Sequence, residues 1–129
     1  MSAYADLLHV AVDDALWNHS ELRALVGDRI FSEMAPEKTP LPYIRYGSTT
    51  ELGIQRFGSS GSRGEKVIDV FGTHKMQVLE VYRHIHAALD GVRFVVGGTS
   101  CVGRVNLVGT VPDEVTGAHA VVQYLPRVK

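Results

Sequence analysis

The chain has 129 residues, of which 45% are hydrophobic and 21% are charged, and it carries a formal net charge of −1. These proportions are typical of a soluble globular protein with one core, and they exclude an intrinsically disordered chain. The balance of 13 basic against 14 acidic residues provides no general attraction for phosphate backbones or anionic lipids. We therefore expect one domain over residues 1–129, in which nucleic-acid binding would require a local basic patch.

Cys101 is the only cysteine, so an intrachain disulfide is excluded and a reducing compartment is expected. Its apolar neighbours favour a buried structural thiol. Residues 1–14 lack the basic start and unbroken apolar run of a signal peptide, and no stretch approaches the roughly 20 apolar residues that span a membrane. These features predict a cytoplasmic protein without a membrane partner.

An amphipathic helix is predicted at the start of the chain. Seven apolar residues fall on one side of its helical wheel: Tyr4, Leu7, Leu8, Ala11, Val12, Ala15 and Leu16. A second, short helix is expected to begin at the cap residue Ser20 and to end before Gly27. An extended piece then begins at Ile30, and the prolines that follow indicate a loop over residues 35–41.

A long connection over residues 51–65 follows a predicted strand at residues 43–48. The connection contains four glycines, several serines and the two arginines Arg56 and Arg63. Connections of this length inside compact domains are usually functional or disordered. We therefore predict an extended hairpin loop between two strands, with a tip that is mobile in the free protein.

The centre of the predicted fold is a strand over residues 66–71 that runs into a helix over residues 74–89. Asp69 is the single polar residue inside the strand, so both faces of the strand are expected to be covered. The helix has one apolar stripe, with Thr73 as its expected cap and Gly91 as its expected stop. A helix joined this closely to a strand must fold back on its sheet.

The last third of the chain is predicted to form three strands. Residues 92–96 and 118–125 are two of them, and a third with a period of two places Val105, Leu107 and Val111 on one face. A Gly97-Gly98 turn is expected to join residues 92–96 to the strand that contains Val105. Because hairpins dominate, the order of elements favours an α+β fold with a mostly antiparallel sheet packed against two helices.

The sequence does not match the patterns of a metal site or of an enzyme. His84 and His86 point about 200° apart on the predicted helix, and the other histidines are scattered along the chain. The glycine-rich loop lacks the following helix and the Gly-Lys-Ser/Thr ending of a phosphate-binding loop. No Gly-x-Ser-x-Gly elbow is present, and Asp69 has no partner carboxylate. We therefore predict no catalytic residue, no metal site and no cofactor.

Three short segments, in their order and spacing, carry a family resemblance. They are LVGDRIF at residues 25–31, PLPYI at residues 40–44 and VIDVF at residues 67–71, the last followed by a helix ending in Ala88-Leu89. With the first helix and the closing strand, they make the chain resemble the tail-completion proteins of long-tailed phages, also described as tail terminators or head-to-tail joining proteins. Phage-like gene transfer agents use relatives of the same protein.

The resemblance implies a structural, non-enzymatic role. Members of the family are α+β subunits that form a hexameric ring on the tail tube, stop its growth and offer a surface to the head connector. The implied partners are other copies of the chain, the tail tube protein and the connector or stopper protein, and the implied location is the virion after assembly in the host cytoplasm. DNA is expected to pass through the ring without specific binding, which the near-zero net charge suits.

The loop over residues 51–65 is expected to become ordered when the subunit docks. We hypothesise that Arg56, Phe57 and Arg63 contact the adjacent subunit or the tail tube. Two other classes of function stay open. A small-molecule or peptide-binding α+β module would need a closed apolar pocket between sheet and helix, and a small enzyme would need convergent titratable residues in one cleft.

Overall fold

A computed structural model describes residues 3–32, 35–46, 66–96 and 98–128 of the chain. The described helices are α1 (Ala3–Trp17), α2 (Ser20–Val26) and α3 (Lys75–Leu89). The described strands are β1 (Ile30–Phe31), β2 (Tyr43–Tyr46), β3 (Lys66–Gly72), β4 (Arg93–Val96), β5 (Thr99–Asp113) and β6 (Gly117–Val128).

The strands form a six-stranded sheet in the order β1-β2-β3-β6-β5-β4. β1 is parallel to β2, and every other described pair of strands is antiparallel. This arrangement confirms the predicted α+β fold with a mostly antiparallel sheet, and the short helix predicted from Ser20 is present as α2. None of the described helices is both long enough and apolar enough to cross a membrane.

The described helices share one core with one face of the sheet. The helices contribute buried apolar side chains to it, namely Leu8, Val12, Leu16, Leu22, Val26, Val78, Val81, Ile85, Ala88 and Leu89. The sheet contributes alternate residues of its strands, among them Ile44, Tyr46, Ile68, Val70, Cys101, Val105, Ala120, Val122 and Tyr124. Because alternate residues of a strand point to opposite faces, the residues between them lie on the other side of the sheet. We call that side the helix-free face, and its members include Phe31, Tyr43, Arg45, Val67, Asp69, Phe71, Val111, His119 and Val121.

Both described helix caps differ from the prediction, which assigns them to Ser20 and Thr73. The Nδ1 atom of His19 accepts a backbone N–H of α2 at 3.2 Å, and the Nδ1 atom of His74 accepts a backbone N–H of α3 at 3.2 Å. A neutral imidazole has one nitrogen that accepts a hydrogen bond, so it satisfies a free helix N–H as a serine oxygen does. The predicted end of α2 is confirmed, because Gly27 follows it with φ of 62°.

A β-bulge in β5 changes which residues face the helices. Leu107 and Gly109 pair with consecutive residues of β6, which leaves Val108 without a cross-strand partner. One extra residue reverses the alternation of side chains beyond the bulge. The prediction that Val111 shares a face with Val105 is therefore wrong, and Val111 is 52% exposed on the helix-free face.

Gly103 in β5 lies against the fully buried ring of Tyr124. A Cβ atom at Gly103 would come within 2.3 Å of the Cζ atom of Tyr124. We predict that Gly103→Ala lowers the free energy of unfolding by roughly 1–3 kcal/mol, because a packed core resists added volume. Urea denaturation followed by circular dichroism measures the change. Gly109→Ala is the matched control in the same strand, since a Cβ there meets nothing within 4 Å, and an equal loss in both variants would contradict the prediction.

Asp90 ties the end of α3 to β5. Its Oδ1 atom accepts the backbone N–H of Val105 at 2.8 Å and lies 3.3 Å from Nε of Arg104. The Val105 hydrogen bond lowers the pKa of Asp90; burial opposes this effect, while Arg104 and His86 add to it. A carboxyl whose pKa is lowered by folding stabilises the fold above its unfolded pKa, and this stabilisation disappears as the pH falls through the folded value.

We therefore predict that Asp90→Asn is less stable than the parent protein at pH 7, and that the difference shrinks as the pH is lowered through the acidic range. Urea unfolding at a series of pH values measures it. Glu114→Gln, an exposed change in the turn between β5 and β6, serves as the control. A stability difference for Asp90→Asn that does not depend on pH would refute the assignment.

Candidate interaction surface

A row of aromatic rings crosses four adjacent strands on the helix-free face. The ring centroids are 5.9 Å apart for Phe31 and Tyr43, 5.0 Å for Tyr43 and Phe71, and 4.3 Å for Phe71 and His119. The register explains two of these contacts, because Phe71 lies directly opposite Tyr43 on one side and His119 on the other. Cross-strand aromatic pairs each contribute about 0.2–1 kcal/mol, so the row stabilises the pairing of β1, β2, β3 and β6.

Asp69 lies beside this row with a basic side chain on each flank. It is the one buried charged residue within the described part of the chain, with 6% of its surface exposed. Its Oδ2 atom accepts a hydrogen bond from Nη2 of Arg45 at 3.2 Å, and its Oδ1 atom lies 2.9 Å from Nε2 of His119. Each carboxylate oxygen therefore has a polar partner, which a buried carboxylate requires. The arrangement pairs the Asp69 carboxylate with Arg45 and His119. It does not contain an activated nucleophile or a second carboxylate.

The helix-free face places the guanidinium of Arg45 and the hydroxyl of Tyr43 beside aromatic rings. The Arg45 side chain is 33% exposed, and its guanidinium lies 5.0 Å from the ring centre of Phe71. Burial raises the pKa of Tyr43, an effect that Arg45 opposes and Asp113 supports, so its hydroxyl is neutral at physiological pH. Arginine and aromatic residues of this kind are enriched in protein–protein interfaces.

A second feature is the outer edge of β5, at residues 106–112. β4 pairs only with Thr99–Val102 of that strand. The carbonyl of Gly103 and the N–H of Val105 then bond to Gly91 and Asp90, which follow α3. No described strand pairs with the outer edge beyond this point. Val108 and Val111 are 61% and 52% exposed there. The backbone groups of such an edge are able to pair with a strand of another molecule.

The predicted contact residues do not belong to the described surface. Arg56, Phe57 and Arg63, with the whole predicted loop at residues 51–65, lie outside the described residues. The sequence did not predict the aromatic row as a surface feature, because aromatic residues in strands usually indicate a core. A signal was nevertheless present, since each of the three segments that carry the family resemblance supplies one ring of the row.

The described residues also line two depressions that are open to solvent. One, of about 460 Å³, lies along the outer side of α3 and is lined by His74, Met76, Gln77, Leu79, Glu80 and Arg83. The other, of about 320 Å³, lies between the start of α3 and the β5–β6 hairpin and is lined by Lys75, Thr110, Val111, Pro112, Gly117 and Ala118. Neither is a closed apolar pocket between sheet and helix.

We predict that Asp69→Asn lowers the free energy of unfolding by roughly 1–3 kcal/mol, because it weakens two charge-assisted contacts at a buried site. Urea denaturation measures the loss. Asp28→Asn, at an exposed position after α2, is the matched control. In a double-mutant cycle with Arg45→Met, the two changes should be coupled; additive effects, or no loss for Asp69→Asn beyond that of the control, would contradict the bridging role.

Comparison with known proteins identifies the family. The chain matches the model of the family described as tail completion protein gp17 over residues 10–128. A chain from a solved structure described as the virion of a native gene transfer agent (GTA) particle is 18% identical and has a TM-score of 0.67, covering 99% of this chain and 97% of that chain. At this identity the likeness shows a shared fold. No curated protein sequence matches the chain. Because the family model spans nearly all of the sequence, the chain belongs to the tail completion protein gp17 family and is a structural tail protein of a virion.

Proposed function

We propose that this chain folds as a single domain and acts as a non-enzymatic subunit of a hexameric ring. The ring caps the tail tube, ends its elongation and joins the tail to the head connector. The observation that carries this proposal is the family match over residues 10–128. The nature of the described surface supports it, because aromatic rings, an arginine and an open strand edge are features of contacts between proteins.

A ring of identical subunits needs two different surfaces on each subunit, which meet head to tail around the ring. The described sheet offers two different candidates, the aromatic row on the helix-free face and the backbone edge of β5. The aromatic row presents side chains from β1 (Phe31) to β6 (His119), whereas the outer edge of β5 presents backbone groups. We propose that these two surfaces take part in contacts between neighbouring subunits.

The loop over residues 51–65 retains its proposed role as a contact segment. The chain leaves β2 after Tyr46 and re-enters the sheet at Lys66, on the neighbouring antiparallel strand. Tyr46 and Lys66, the described residues before and after the loop, lie at the same end of the β2–β3 pair. We propose that Arg56, Phe57 and Arg63 contact the adjacent subunit or the tail tube from this position.

The proposed partners are other copies of this chain, the tail tube protein and the head–tail connector or stopper protein. The proposed location is the head–tail junction of the virion, after assembly in the host cytoplasm. DNA would pass through the ring without specific binding. The formal net charge of −1 supports this last point, because a strongly basic channel would retain the DNA.

The alternative of a small-molecule or peptide-binding module is less well supported. It requires a closed apolar pocket between sheet and helix, whereas the two depressions described above are open to solvent. An enzyme requires convergent acid, base or nucleophilic groups in one cleft. The buried Asp69 has basic partners on both oxygens, which is an ion-pair arrangement and supports a structural role.

Electron microscopy of particles from cells that lack this gene tests the proposal. We predict separate filled heads and unfinished or overlong tails, because the tail end would be neither capped nor joined. The parent gene supplied in trans should restore joined particles. Normal infectious particles from cells that lack the gene would refute the proposed function.

The same complementation assay tests the loop. A gene from which residues 51–65 are deleted should give free heads and tails although the protein is folded, as checked by circular dichroism. The matched control is Val10→Lys, a change at a 53%-exposed position on α1. Normal tail attachment with the deletion would refute the loop contact and leave the role of the whole protein intact.

A further inference from the structure

His19, Glu21 and His84 come together where α2 packs against α3. The potential ligand atoms of the three side chains all lie within 4.8 Å of one another. The two imidazole centroids are 5.8 Å apart, and Nδ1 of His84 lies 3.9 Å from Oε1 of Glu21. His19 and His84 are far apart in the sequence, and tertiary packing places them side by side.

We propose that this cluster binds one zinc ion through two imidazole nitrogens and one carboxylate oxygen. Zinc takes nitrogen and carboxylate ligands in a tetrahedral arrangement, and three protein ligands leave a fourth position for water. Calcium and magnesium prefer sets of oxygen ligands, so a cluster with two imidazoles selects against them. The proposal is independent of the ring function, because it concerns a different face of the molecule.

The geometry allows the ligands to close around the ion. Ligand atoms about 2.0–2.1 Å from a tetrahedral zinc lie about 3.4 Å from one another, so the present spacing must shorten. The Glu21 side chain is 75% exposed and free to rotate toward the histidines, whereas the His84 side chain is 23% exposed and more restricted. A partly buried histidine and an exposed carboxylate make a site that an ion from solvent can enter.

Zinc binding changes the hydrogen bond that His19 makes at the start of α2. Without the ion, Nδ1 of His19 accepts the N–H of Leu22 at 3.2 Å. A zinc-bound imidazole carries its proton on the nitrogen that does not hold the metal, so neither nitrogen is then available to accept that bond. The ion therefore replaces one helix cap by a bridge between α2 and α3, and one lost cap is a small cost against structural zinc binding.

Isothermal titration of the purified chain with Zn²⁺, after removal of any affinity tag, tests the proposal. We expect one Zn²⁺ per chain, a dissociation constant in the micromolar range or tighter, a higher melting temperature with Zn²⁺, and reversal by EDTA. His84→Ala should weaken binding at least about tenfold. The matched control, His86→Ala, lies two residues further along the same helix with a 45%-exposed side chain and should bind as the parent does. Mg²⁺ should give no binding.

A second variant keeps the test informative if His84→Ala does not fold. Glu21→Gln removes the carboxylate from an exposed position, so it should leave the fold intact and weaken zinc binding. In NMR spectra of the parent, Zn²⁺ should shift the imidazole resonances of His19 and His84 and leave those of His86 unchanged. Absence of binding by the parent chain, or equal loss in His86→Ala and His84→Ala, would overturn the proposal.

Discussion

The short connection between β3 and α3 determines the layout of the molecule. Two residues, Thr73 and His74, separate the strand from the helix, so α3 has to turn back and lie on the sheet. The backbone N–H of Thr73 donates to Oε1 of Gln77 at 2.7 Å, which holds the turn closed. Gly72 permits this close approach, because a Cβ there would lie 2.8 Å from Val78. The apolar stripe of α3 consequently covers one face of the sheet, α1 and α2 complete the same layer, and the other face is left without a described helix.

This one-sided arrangement leaves the helix-free face of the sheet without a described helix over it. The side chains that alternate with the core residues are not ordinary solvated groups. Phe31, Tyr43 and Phe71 form a continuous row with the imidazole of His119, and each carboxylate oxygen of Asp69 has a polar partner. The outer edge of β5 at residues 106–112, with which no described strand pairs, adds backbone hydrogen-bonding groups. A structural tail protein works through contacts with other proteins. The partly exposed Arg45 and His119 and the exposed Val111 on the helix-free face suit that task.

The histidines show how one residue type takes different roles from its neighbours. His19 and His74 accept backbone N–H groups at the starts of two helices. His119 stacks on an aromatic ring and contacts the buried Asp69. His84 faces the start of α2 from α3, where the proposed zinc site lies. An imidazole serves as hydrogen-bond acceptor, flat ring or metal ligand, so its role depends on what tertiary packing places within a few ångströms.

The sequence by itself determined the element types, the α+β class and the mostly antiparallel sheet, because hydrophobic periodicity and turn residues are local properties of the chain. The resemblance of three segments also indicated the family. Only the tertiary structure decided the rest. The bulge at Val108 moved Val111 to the other face, and no pattern within β5 distinguishes that bulge from regular alternation. The meeting of His19 with His84, and of Phe71 with its neighbouring rings, depends on helix packing and strand register. Those contacts join residues that are distant in the chain, and a local sequence pattern carries no record of which distant residues will meet.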